Sequence, residues 1–143
     1  MAALTMDRNT PRQDGDLRHG LVAAGSLIYA GAIVMRAADG YLHEGHVATG
    51  MVGVGRAEAR VDNRLGVDGD EDLTYRPGVF KFANSAAADL IATADIGEVA
   101  FVADDQTVAK TNGGNTRSPA GIIDSVDADG VWIRFDEALT KAS

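Results

Sequence analysis

His43-Glu44-Gly45-His46 places two imidazoles and a carboxylate in four consecutive positions, the arrangement in this chain closest to a metal centre. Zinc accepts such ligands, but the helical zinc motif needs its histidines four apart so that both project from one face. Here they are three apart, and Gly45 opposes a helix, so a solvated turn between strands is expected. Asp68-Gly69-Asp70-Glu71-Asp72 begins as a calcium loop begins, with carboxylates at alternate positions. Leu73 then stands where that loop needs its glycine, and Val79 where it needs its closing glutamate. A solvated acidic loop is the expectation.

Gly50-Met51-Val52-Gly53-Val54-Gly55 has the glycine density of a phosphate-binding turn. Such a turn ends a strand and opens a helix whose amides meet the pyrophosphate, whereas here an alternating strand pattern runs on past the glycines. Asp104-Asp105 and the Asp127/Asp129 pair lack the neighbouring histidine or apolar burial that acid/base work requires. None of Ser26, Ser85, Ser118 and Ser125 lies in a nucleophile-elbow context or has a histidine spaced to serve it. The chain has no cysteine, which removes thiolate nucleophiles, thiolate metal sites and disulfides together. The sequence therefore assigns no catalytic, cofactor-binding or metal-ligating residue, and a non-enzymatic protein is expected.

The elements that would position any site read as β. From Leu27 onward, short β-branched and aromatic runs alternate with glycine-bearing turns about every ten residues. Asp39-Gly40 marks one turn and Pro77-Gly78 another. From Val47 to Asp62 the period is two: Val52, Val54, Arg56, Glu58, Arg60 and Asp62 share one parity, and the glycines and alanines share the other, small enough to pack against another backbone. Ile122–Val126 and Val131–Phe135 form a hairpin across Asp127-Ala128-Asp129-Gly130. Trp132 is expected to anchor the core. Ala and Leu dominate 85–96, the one helical candidate, with Ser85 as its cap.

Charge narrows the partners. Lys and Arg number 13 against 21 Asp and Glu, a net charge of -8 that opposes attraction to nucleic acid or an anionic membrane. Arg8, Arg12 and Arg18 balance Asp7, Asp14 and Asp16, so the acidity resides in residues 21–143. The apolar run from Leu21 to Met35 is shorter than the roughly 20 residues a spanning helix needs, and Gly25 and Gly31 cut it into strand-sized pieces. No membrane role is expected. Residues 1–20 follow neither a helical nor a strand period and read as a flexible N-terminal arm, able to reach about 66 Å at about 3.3 Å per residue. Residues 21–143 then form one β-rich domain, a small barrel or sandwich with at most one short helix.

From Ala23 to Phe135 the chain resembles the capsid cement, or head decoration, proteins of tailed phages and prophages. The resemblance is carried by AAGSLIYAGAIVMRAADGYL, by ARVDNRLGVDGD, by Pro77-Gly78-Val79-Phe80 and most specifically by ADIGEVAFVADDQTVAKTNGGNTRSPAGIIDSVDADGVWIRF. It implies a structural protein of the virion, made in the host cytoplasm, that binds the outer capsid surface between major capsid protein subunits and stabilises the mature shell. It further implies a homo-oligomer, often a trimer, and supplies no catalytic residue or cofactor. Arg8, Arg12 and Arg18, on the segment before the region of resemblance, are the candidate capsid contacts. The competing expectations are an ion-dependent enzyme using His43–His46 or Asp68–Asp72, and a surface adhesin binding carbohydrate through exposed aromatics.

Overall fold

Glycine sets the first boundaries. Gly25 and Gly31 hold φ of 79° and 86°, a region that side chains disfavour, so the apolar run after Arg18 breaks into three strands. A computed structural model describes residues 2–13 and 15–143. Its strands are β1 (Arg18–Leu21), β2 (Leu27–Ile28), β3 (Ile33–Ala37), β4 (Leu42–Glu44), β5 (Met51–Ala57) and β6 (Val61–Asp62). They continue with β7 (Asp72–Arg76), β8 (Gly78–Phe82), β9 (Val99–Val102), β10 (Val108–Ala109), β11 (Pro119–Asp127) and β12 (Gly130–Phe135), before helix α1 (Glu137–Ala142).

The chain is all-β with one short α-helix. One antiparallel sheet has the order β1-β7-β5-β3-β4, a second β10-β9-β11-β12-β8, and β2 pairs with β6 alone. Each large sheet curls until its ends approach through a single parallel bridge, Val22 to Leu42 in the first and Ala83 to Thr107 in the second. One bridge is not a ladder, so neither sheet closes into a barrel, and of the two expected architectures the sandwich is the one formed.

Two cores follow from the alternation. Ile33 and Met35 point from β3 into the space between the sheets, against Phe82, Ile91, Val102, Ile123 and Ile133. Val34, between them in sequence, points the other way, with Val22, Ile28, Leu42, Val52, Val54 and Leu73. Gly53 makes the inter-sheet contact possible: a Cβ there would collide with the Ala120 carbonyl of β11. The strict period of two stops at a bulge, where Val34 pairs with Gly55 but Met35 with Gly53. Beyond it the faces exchange, so Ala57 joins the core of Val52 and Val54 while Arg56 lies over the Phe80 ring at 4.3 Å.

Three expectations are corrected. Residues 85–96 form no α-helix, only 3-10 turns at Ala87–Asp89 and Thr93–Asp95. Asn84 explains the break, because its side chain accepts from the Ile91 amide and donates to the Ile91 carbonyl, both at 2.9 Å. That clamp turns Ile91, 1% exposed, into the inter-sheet core. Ser85 does not cap a helix; its hydroxyl donates to the Val108 carbonyl at 2.8 Å. Trp132 is not a core anchor either, since it is 36% exposed and its indole N–H donates to Asp127. Finally, the arm is shorter than residues 1–20, because β1 begins at Arg18.

Candidate functional site

The candidate arginines fall on two parts of the molecule. Described residues 2–13 are all exposed and contain no strand or helix. Within them Arg8 donates to the Thr10 hydroxyl at 3.3 Å, and Arg12 is also exposed. Arg18 instead belongs to β1 and is half-buried. Its guanidinium donates to the carbonyls of Gly15 and Leu17 at 2.8 and 2.9 Å. It borders a hollow of about 480 Å³ with Val54, Tyr75, Pro77 and Phe135.

The root of the arm is fixed by charge. Asp16 meets Arg76 at 3.5 Å, Arg76 meets Glu58 at 3.1 Å, and Arg56 meets the same Glu58 oxygen at 2.7 Å. The hydrogen bond from Arg56 is the chief reason that the Glu58 carboxyl titrates below its ordinary value, with Arg76 adding to it. β1 stands at one end of its sheet and, among the described residues, pairs as a strand with β7 alone, from Arg18 opposite Tyr75 to Leu21 opposite Asp72. The arm thus leaves the body beside an unpaired strand edge.

The residues that suggested ions are occupied locally. Asp68 accepts from the Ala24 amide at 2.8 Å and Asp70 from the Val67 amide at 2.9 Å. Asp72 pairs with His19 at 2.7 Å. Beneath this loop the buried Asn63 donates to the carbonyls of Val22, Ala23 and Val67. Asp68 and Asp70 thus serve backbone amides and Asp72 a histidine.

His43 and His46 do come together, with ring centroids 5.9 Å apart. His46 Nδ1 lies 2.8 Å from the Glu44 carbonyl and 3.6 Å from its carboxylate, while His43 Nδ1 lies 3.5 Å from the Ser26 hydroxyl. The segment lies at the end of β4, its Gly45 against the Asp104 backbone. Among the described residues no group of three or more His, Asp or Glu is placed to hold a metal ion. Asp127 and Asp129 both face Lys81, at 3.1 and 3.5 Å. No described helix is long and apolar enough to cross a membrane.

The feature that the sequence reading missed is the outer face of the second sheet, where Trp132 and Arg134 stand exposed beside Val79. Its signal was present: if Val131, Ile133 and Phe135 point inward, Trp132 and Arg134 must point outward. Comparison with known proteins returns no matching family model, no matching curated protein and no matching solved structure.

Proposed function

We propose that this protein is a non-enzymatic capsid decoration protein, which binds the outer surface of a tailed-phage shell between major capsid protein subunits and stabilises the mature lattice. The observation that carries the reading is the exposed arm, residues 2–13, rooted through Asp16 and Arg76 beside the open edge of β1. The sequence resemblance adds the identity of the partner.

The physics suits that role. A site built from several shell subunits exists only in the assembled lattice, so a ligand of that site stabilises the lattice over its separated parts. An arm that orders on binding can cover a large surface or add a strand to a sheet edge of its partner, and Arg8 and Arg12 can meet carboxylates there. A homo-oligomer presents several arms at once, and effective concentration then raises affinity without stronger individual contacts. The acidic body keeps the protein soluble at high copy number.

Co-sedimentation with expanded shells of the encoding phage tests the reading. Saturable binding at a fixed ratio to shell protein is expected, with the shell then resisting a higher temperature. No binding to expanded shells would overturn it.

A further inference from the structure

Two loops border a hollow of about 380 Å³, lined by Tyr29, Ala30, Gly31 and Ala32 between β2 and β3 and by Asp105 and Gln106 between β9 and β10. Its size falls within the roughly 300–1,000 Å³ of small-molecule sites. Backbone hydrogen bonds fix both walls. The Gly31 amide donates to the Ala57 carbonyl at 2.8 Å and the Ala32 amide to the Tyr29 carbonyl at 3.1 Å. The Ala83 amide donates to the Gln106 carbonyl, and the Ile33 amide to the Asp105 carbonyl, both at 2.9 Å. The last of these ties one wall to the other.

The side chains left facing solvent here combine one ring with several unused polar groups. Tyr29 is 51% exposed, although the Arg60 guanidinium lies over its ring at 5.3 Å. The Tyr29 hydroxyl, the Asp105 carboxylate and the Gln106 carboxamide form no hydrogen bond among the described residues. The neighbouring Asp104 carboxylate is engaged, accepting from the Gln106 backbone amide at 2.9 Å. At Gly31 a Cβ would meet no atom within 4 Å, so nothing of the chain fills the space beside it.

We propose that this hollow binds a neutral pyranose unit of a glycan, with a C–H face of the sugar on the Tyr29 ring and its hydroxyls on Asp105 and Gln106. A sugar ring offers the matching combination: a face of C–H groups and a rim of hydroxyls that each donate and accept. The carboxylate accepts from adjacent hydroxyls, the carboxamide both donates and accepts, and the tyrosine ring covers the C–H face. Charge favours a neutral ligand over an ion, because Arg60 repels a second cation from the ring while Asp104 and Asp105 repel an anion. Walls already fixed by backbone bonds lose little freedom on binding. The site stands independently of the decoration reading.

Two-dimensional amide NMR of the full chain, titrated separately with glucose, galactose, mannose and N-acetylglucosamine, tests this. Saturable shifts confined to residues 29–32 and 105–106 are expected with at least one of the four, at a dissociation constant on the order of 1 mM. Neither Tyr29 nor Gln106 belongs to a core, so Tyr29→Ala and Gln106→Ala are expected to keep the native spectrum elsewhere. Each should weaken binding by roughly tenfold or more, and Tyr29→Phe, which retains the ring, should preserve most of it. Lysine amide and inorganic phosphate serve as the charged probes. The inference is overturned if no sugar gives saturable shifts, if the shifts lie away from the hollow, or if the alanine variants bind as the native protein does. Lysine amide or phosphate occupying the hollow more tightly than every sugar would overturn it equally.

Discussion

Asp127 shows how much one side chain can hold. Its carboxylate accepts from the amides of Asp129 and Gly130 at 2.8 and 3.1 Å, closing the β11–β12 turn, and from the Trp132 indole at 3.1 Å. The Asp129 amide first, then Lys81 and Trp132, pull its pKa from 3.8 down to about 2. Arg64 does the same to Asp62, again to about 2. A lowered carboxyl pKa contributes stability above its ordinary value, and that contribution disappears as pH falls through the folded value. Asp127→Ala is therefore expected to lower the melting temperature at pH 6. The gap from the native protein should narrow as pH drops from 3.8 towards about 2; a constant gap would contradict this role. At Asn63, 2% exposed, replacement by alanine takes the side-chain donor from three carbonyls that each keep one backbone amide, and should cost about 1–3 kcal/mol in urea unfolding. The sequence placed Asp127 in a turn because Asp-x-Asp-Gly is turn chemistry. It misplaced Trp132 because ring size was weighed above the alternation of β12.

Elements were legible where local chemistry decides them. The β11–β12 hairpin and the turn at Gly40, with φ of 90°, follow from glycine and aspartate spacing alone. The small-residue parity of β5 also foretold a close backbone approach, which Gly53 makes against Ala120. Gly53→Ala should destabilise the fold by about 1–3 kcal/mol or prevent folding, as overpacking does, read as a lowered denaturation midpoint at unchanged m-value. Elements decided by distant partners were not legible. The bulge in β5 depends on its register with β3, and the Asn84 clamp on Ile91 overrides the helix propensity of 85–96. Helix α1 carried a local signal that went unread: Asp136 caps it by accepting from the Leu139 amide at 3.0 Å. Asp136→Ala should cost about 1 kcal/mol through loss of that cap.

For the whole molecule, the all-β class was legible because strand-length runs and glycine turns recur along the entire body. The approach of the sheet ends without closure was not, since one bridge between the ends of each sheet is a tertiary outcome. The site was partly legible: residues 2–13 are exposed and carry no strand or helix, but Arg18 belongs to the body and not to the arm. This separation makes function and stability independently testable. Removing residues 1–13, of which 2–13 lie outside both cores, should leave the melting temperature of the body unchanged while abolishing shell binding. A truncated chain that binds shells normally would move the contact to the body.

The most direct test of the decoration reading is the protein composition of purified virions or induced prophage particles. Copies of this chain should number in the hundreds on the capsid exterior, in a simple ratio to the major capsid protein. Absence from intact particles, or a handful of copies per particle, would contradict it.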